Sequence, residues 1–200
     1  MGKRILKVSC YSLIALILLM VISFLFLYNH RSDFILSDEL KSDIDQLSQV
    51  ANKLPDDAYR LFELEYLNGL SNTPNSYYLK QLLGDTQQSC ACENLARLMS
   101  HNSIGLDYGL NKLIIANYLF DNYGNKKCLD IYLHRFDFVN NQVGIIDAAD
   151  FYFNKNLSAL NKSELATLVV MLRNPSLYNP IRNPDKVNEK AKLLIEKIKN

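Results

Sequence analysis

Residues 161–184 read NKSELATLVVMLRNPSLYNPIRNP, and this stretch decides the fold of the chain. Asn161 and Glu164 have the spacing of a capping box, in which each side chain accepts a hydrogen bond from the backbone at the start of a helix. Apolar residues then recur at helical spacing, at Leu165, Leu168, Val169 and Leu172. Prolines forbid the helix to continue, at Pro175, Pro180 and Pro184. The stretch therefore predicts a capped helix that ends in a rigid loop.

A further helix is predicted to follow this loop, with Asn183 as its cap and Pro184 at its first position. Its predicted buried stripe consists of Val187, Ala191, Leu194, Ile195 and Ile198. No strand-length run of the sequence alternates apolar β-branched residues with polar ones between turns. The chain is therefore predicted to be mainly helical.

The N-terminal part has the pattern of a membrane anchor. Lys3, Arg4 and Lys7 precede an uncharged run over residues 8–28, and about 20 apolar residues suffice to cross a bilayer as a helix. A cleaved signal peptide has a shorter apolar core that ends at small residues, whereas this run ends in large apolar ones. The basic residues before the run place the N-terminus in the cytoplasm and the rest of the chain outside it.

Four segments are predicted from these patterns: a cytoplasmic N-terminus over residues 1–7, a transmembrane anchor over 8–29, a juxtamembrane helix or connector over 30–53, and a domain over 54–200. The connector carries apolar residues spaced by three and four, at Leu36, Leu40, Ile44, Leu47 and Val50. The expected location is the plasma or inner membrane of a cell, with a single span and an extracytoplasmic domain.

Charge and cysteine content exclude some classes of function. Of the 22 basic and 21 acidic residues, 18 basic and all 21 acidic ones follow residue 31, a balance that lacks the basic face of a nucleic-acid-binding protein. Cys90, Cys92 and Cys128 form an odd set, which implies one disulfide with a spare thiol or three thiols, and Cys128 has two possible partners. The Cys-x-Cys pair with His101 lacks the full ligand set of a zinc site, so no metal is predicted there.

A helix and a loop are predicted between Pro55 and the first of these cysteines. Pro55 and the acidic residues after it suit the start of a helix that includes Glu63 and Glu65. Residues 71–76 are predicted to form a loop, because Pro74 stands between asparagines.

Residues 161–184 resemble the last conserved block of the peptidoglycan glycosyltransferases, the transglycosylases that polymerise lipid II in bacterial cell walls. The matching residues there are Ser163, Glu164, Ala166, Pro175, Tyr178, Asn179, Pro180, Asn183 and Pro184. The resemblance continues without a gap over residues 109–155, at Leu119, Leu129, Tyr132, Leu133, Arg135, Phe138, Gly144, Ala148, Ala149, Tyr152, Phe153 and Lys155. It implies an all-α, lysozyme-like transglycosylase domain preceded by one transmembrane helix, in a divergent, monofunctional form without a transpeptidase domain.

The resemblance also implies the catalytic residues. Counting from Pro55 places the family's first catalytic glutamate on Glu65, the candidate base, with Glu63 as its rival. The family's second glutamate falls on Phe120, and Asp121 beside it is the weaker candidate. His134 stands in place of a family asparagine and is interpreted as a hydrogen-bonded structural residue.

The resemblance implies substrate-binding roles for Ser89, Asn94, Arg97, Lys112 and Glu164. Arg97 and Lys112 are expected to face the diphosphate of the substrate. Glu93 and Asn94 replace paired glutamines of the family. A carboxylate at Glu93 is expected to repel a diphosphate, whereas Asn94 can still donate a hydrogen bond.

Three functions remain in consideration, and the sequence favours a glycosyltransferase with degenerate motifs. The first is a membrane-anchored enzyme that polymerises a lipid-linked disaccharide-peptide precursor. The second is a catalytically impaired relative that acts as a scaffold or regulator of cell-wall synthases. The third is a lysozyme-like hydrolase, which usually needs two carboxylates. No cofactor is predicted apart from a divalent cation at the diphosphate.

Overall fold

The computed structural model describes residues 2–29, 36–100 and 107–199, with side chains described for residues 14–27 in the first of these ranges. The chain divides into two units, Met1–Lys41 and Ser42–Asn200. In the first unit a helix, α1, runs over Gly2–Asn29, and its apolar side chains from Ile14 to Leu27 are exposed. Among the described residues, no helix combines the length and the hydropathy that a membrane crossing requires.

The remaining helices are α2 (Asp38–Val50), α3 (Asp56–Glu65), α4 (Pro74–Leu82), α5 (Ala91–Met99), α6 (Asp107–Arg135), α7 (Ile145–Phe153), α8 (Lys162–Met171) and α9 (Pro184–Lys199), with a 3-10 turn over Leu157–Ala159. In the described part of the chain the only strand-like pairing is an isolated bridge between Asp137 and Val143. The prediction of an all-α fold is therefore confirmed.

The core is built around α8, the helix that begins within residues 161–184. Asn161 and Glu164 form the predicted capping box, and every side chain from Leu165 to Met171 is buried. A helix that is buried all round must be enclosed by other elements, and α8 packs against α3, α7 and α9. The predicted start of α9 at Pro184 is confirmed, and its Val187, Ala191 and Leu194 are buried.

The prediction of a loop over residues 71–76 is wrong from Pro74 onward. The Thr73 side chain caps α4 by accepting a hydrogen bond from the Ser76 amide at 3.1 Å. Pro74 occupies the first helical position, where its missing N–H costs nothing. The proline that suggested a loop therefore starts a helix.

Two glycines fix the path of the chain around α6. Gly124 has φ of 70° and interrupts α6, so that the helix has two parts on either side of a kink. Gly144 has φ of 97°, and a Cβ placed there would lie 2.8 Å from the backbone oxygen of His134. Only glycine tolerates both this conformation and this close approach. The turn before α7 therefore packs directly on the last turn of α6.

Candidate substrate site

Glu65, the candidate base, lies at the end of α3 with 1% of its side chain exposed. Arg173, in the turn after α8, donates from Nε to Glu65 Oε1 and from Nη2 to the Glu65 backbone oxygen at 2.6 Å. Lys190 of α9 places its Nζ 3.5 Å from the same Oε1. The carboxylate is therefore buried and held by two cations, and it joins three elements.

Tyr66 lies beside this cluster. The Arg173 guanidinium lies 5.3 Å from the Tyr66 ring centroid, and the ring stacks on Phe62 with centroids 4.7 Å apart. Burial raises the pKa of the Tyr66 hydroxyl, which is buried without a hydrogen-bond partner among the described residues. The site thus contains a buried neutral phenol next to the glutamate.

Glu63, the rival candidate, has a different environment. Its Oε2 accepts a hydrogen bond from the Leu70 amide at 2.5 Å, and its Oε1 accepts one from the Ser71 hydroxyl. It also lines a cleft of about 680 Å³. Its hydrogen bonds hold the turn that follows α3, which is a structural role.

A second carboxylate cluster centres on Glu93, whose side chain is fully buried in the first turn of α5. Arg97 Nη2 donates to Glu93 Oε1 at 3.1 Å and to Oε2 at 2.9 Å. Lys112 Nζ of α6 lies 3.2 Å from Oε1. The structure therefore brings the two predicted diphosphate-binding cations together, with the Glu93 carboxylate between them.

Tyrosines lie beside the Glu93 cluster. The Lys112 ammonium lies 5.7 Å from the Tyr78 ring centroid, and the Tyr78 hydroxyl is buried without a hydrogen-bond partner in the described part of the chain. Burial raises the pKa of Tyr132 to about 12, and the Arg97 charge opposes this rise. The Tyr132 phenol also contributes to the raised pKa of Tyr66, after the larger effect of burial.

Three other predicted site residues have polar partners inside the protein. Asn94 Nδ2 donates to Ser89 Oγ at 3.3 Å, and the Ser89 amide bonds to the backbone oxygen of Leu67 at 3.1 Å. Glu164 accepts a hydrogen bond from Lys155 at 2.7 Å, and this bond lowers the pKa of Glu164. Ser89 and Asn94 thus lie together, whereas Glu164 serves the cap of α8.

Asp121 lies apart from both clusters. It is exposed on α6, before the kink at Gly124, and within the described ranges no hydrogen bond or ion pair joins it to Glu65 or Glu93.

The cysteines form one disulfide with a spare thiol, which is one of the two arrangements that the sequence allows. Cys92 of α5 and Cys128 of α6 form a disulfide, and Cys90 is a buried free thiol whose pKa burial raises to about 11. His101 lies outside the described residues. Among the described residues no group of three or more His, Cys, Asp or Glu side chains could hold a metal ion.

Arg173 and Lys190 are the site residues that sequence reasoning missed. Both lie more than 100 positions after Glu65. Arg173 lies within residues 161–184 but is not among the residues there that match the family. The one sequence signal for them is the rigid loop after α8. It predicts that the residues beside the loop have fixed positions, but it does not identify Glu65 as their partner.

The comparisons with known proteins identify the family of this chain. The model of the transglycosylase family matches residues 86–199, which is more than half of the chain, and the chain belongs to this family. The match begins after Glu65, so the candidate base lies outside it.

Among curated proteins, the chain is similar to penicillin-binding proteins. It is 37% identical to penicillin-binding protein 1F of Bacillus subtilis over 84 residues, which are 42% of this chain and 12% of that protein. It is 25% identical to penicillin-binding protein 4 of the same organism over 188 residues, covering 86% of this chain and 30% of that protein. It is 31% identical to penicillin-binding protein 1A of Neisseria gonorrhoeae over 85 residues, covering 42% and 11%. The chain thus spans less than a third of these relatives.

Proposed function

We propose that this protein is a peptidoglycan glycosyltransferase that extends glycan strands from a lipid-linked disaccharide-peptide precursor. Membership of the transglycosylase family supports the reaction class. The observation that carries the proposal is the burial of Glu65 against Arg173 and Lys190, because a catalytic carboxylate belongs in a fixed, enclosed place and a surface glutamate does not. From the uncharged run over residues 8–28 and the basic residues before it, we further propose that the N-terminal part anchors the chain in the plasma or inner membrane, with the domain outside the cytoplasm and close to the lipid substrate.

The proposed chemistry divides between the two clusters. Glu65 accepts the proton of the acceptor hydroxyl as that oxygen attacks the anomeric carbon, and Arg173 and Lys190 hold the carboxylate in position. The bond from the anomeric carbon to the diphosphate breaks, and the developing negative charge lies near the cations Arg97 and Lys112. Fixed cations at the point where charge develops lower the barrier to such a step.

The test is polymerisation of lipid II by the full chain in detergent, followed by separation of the glycan strands on a gel. Glu65→Gln removes the base and keeps the shape of the side chain. The expected result is a rate at least about a hundredfold lower, which is the usual contribution of a general base.

Glu63→Gln is the matched control, because it makes the same chemical change two residues away. Its rate is expected to stay within about threefold of the wild type, since its partners Leu70 and Ser71 belong to a turn. Thermal unfolding of each variant separates loss of chemistry from loss of fold. The proposal fails if the folded wild type makes no polymer where an authentic enzyme does, or if Glu65→Gln is as active as the wild type.

A second candidate function is a non-catalytic partner of cell-wall synthases. The observation in its favour is the Glu93 carboxylate, which already accepts hydrogen bonds from Arg97 and forms an ion pair with Lys112, the cations that a diphosphate would need. Affinity purification of the full chain from membranes would then recover a wall synthase. Replacing the loop over residues 175–184 with a Gly-Ser linker is expected to abolish that recovery, whereas a chain that brings down no synthase contradicts this function.

A further inference from the structure

The cleft of about 680 Å³ that Glu63 lines takes no part in the proposed reaction. Its walls come from α3, the turn after α3, and the helices α6 and α9. Neither Glu65 nor its partners Arg173 and Lys190 line it. Small-molecule sites in proteins have volumes of roughly 300–1,000 Å³. The cleft is therefore large enough for a small ligand, and its lining is separate from the Glu65 cluster.

Three cations line the cleft, and they come from three different helices. Arg60 of α3, Lys126 of α6 and Lys197 of α9 are all exposed. Within the described ranges none of the three forms an ion pair. Lys126 lies over an aromatic ring, with its Nζ 5.3 Å from the Tyr59 ring centroid. These cations are therefore available to an anion that enters the cleft.

Two carboxylates also line the cleft, and other groups of the protein stabilise each of them. Glu63 accepts hydrogen bonds from the Leu70 amide at 2.5 Å and from the Ser71 hydroxyl. Asp56 lies in the first turn of α3, where the positive end of the helix dipole stabilises an acidic side chain. The three cations outnumber the two carboxylates in the lining. The cleft therefore favours an anionic ligand.

The rest of the lining is largely apolar, with Leu64, Leu70, Ile198 and the Tyr59 ring. The Tyr59 hydroxyl donates a hydrogen bond to Asp130 at 2.6 Å, which fixes the ring. A body with apolar faces, such as a sugar ring, can pack on these side chains while an attached anion meets the cations. A phosphate monoester carries close to two negative charges at neutral pH, so it suits three cations better than a single carboxylate does.

We propose that the cleft bounded by Arg60, Lys126 and Lys197 is a binding site for a phosphate monoester of a sugar or of a body of similar size. The Arg60 guanidinium donates paired hydrogen bonds to two phosphate oxygens, a geometry that arginine favours. Lys126 and Lys197 supply further positive charge, and the apolar side chains contact the sugar ring. This site is independent of the proposed polymerisation.

The experiment is calorimetric titration of the full chain in detergent with glucose 6-phosphate at low ionic strength. Glucose, which lacks the phosphate, and inorganic phosphate, which lacks the sugar, are titrated in parallel, and each is expected to bind at least about tenfold more weakly. Arg60→Gln and Lys126→Gln are each expected to lower the affinity for glucose 6-phosphate about tenfold, since each removes a charged hydrogen-bond donor.

Lys192→Gln is the matched control, because it makes the same change in net charge at an exposed position of α9 outside the cleft. Its affinity is expected to stay within about twofold of the wild type. Thermal unfolding of each variant shows whether it is folded. Equal affinity for glucose 6-phosphate and either glucose or inorganic phosphate overturns the proposal, and so does an equal loss in Lys126→Gln and Lys192→Gln. A tenfold loss in Arg97→Gln also contradicts it, because the probe would then bind at the Glu93 cluster.

Discussion

Glu65 and Glu93 are buried acidic side chains, and each is held by two cations, of which only Arg97 lies on the same helix as its glutamate. Sequence reasoning selected Glu65 by counting from Pro55 and treated Glu93 as a residue that would face the substrate. It could not show which cations meet them, because Arg173 and Lys190 come from distant parts of the chain. The candidate base was thus predicted from sequence, whereas its environment required the fold.

Arg173→Gln tests the contribution of this environment to stability. Removing one partner of a buried carboxylate leaves its charge poorly compensated, although the 47% exposure of Arg173 lets water replace part of the interaction. The free energy of unfolding is expected to fall by about 1–3 kcal/mol in urea titrations followed by circular dichroism. Arg182→Gln, at an exposed position without an ion pair in the described part of the chain, is the control and should change it by less than about 0.5 kcal/mol.

At the scale of elements, the loop between α8 and α9 depends on one buried amide. The Asn179 side chain is fully buried. Its Oδ1 accepts hydrogen bonds from the amides of Ile181 and Arg182 at 2.9 and 3.1 Å, and its Nδ2 donates to the Tyr152 hydroxyl at 3.3 Å. This residue therefore fixes the loop to α7 and sets where α9, with Lys190, begins.

Asn179→Ala is expected to lower the free energy of unfolding by about 2–3 kcal/mol, because it leaves several partly buried polar groups without partners. Asn188→Ala, at an exposed position of α9, makes the same substitution without such partners and is expected to cost less than about 0.5 kcal/mol. Chemical denaturation measures both. An Asn179→Ala protein as stable as Asn188→Ala would mean that the prolines alone hold the loop.

The helices show which local patterns suffice for prediction. The capping box at Asn161 and the start of α9 at Pro184 follow from residues within a few positions of each other, and both were predicted correctly. The same local chemistry explains the error at Pro74, since Thr73 before a proline is also a helix start. The geometry of the kink at Gly124 depends on the packing on both sides of a glycine with positive φ.

At the scale of the whole molecule, the Cys92–Cys128 disulfide links residues 36 positions apart. A covalent link of this length restricts the unfolded chain and is expected to stabilise the fold by about 3–4 kcal/mol. Replacement of both cysteines by alanine should lower the free energy of unfolding by that amount in urea titrations. The Cys90 thiol remains in that variant, so an unchanged stability would contradict the expected role of the disulfide.

The all-α class, the family and the helix starts could be predicted from the sequence because they depend on periodicity, caps and contiguous motifs. The partner of Cys128 could not be predicted, since both Cys90 and Cys92 satisfy the count, and only the packing of α5 on α6 separates them. The environment of Glu93 could not be predicted either, because a sequence does not show whether a carboxylate faces solvent or two cations.

In the proposed location outside the cytoplasm, the disulfide would also set the order of events in the biosynthesis of the chain. Thiols stay reduced in most bacterial cytoplasm and pair after export to an oxidising compartment. The chain would then leave the ribosome with α5 and α6 unlinked, and the covalent tie beside Glu93 would form only after residue 128 had been translocated. A membrane glycosyltransferase whose disulfide forms after export would acquire the final geometry of its site outside the cytoplasm, on the side of the membrane where the proposed glycan strands are made.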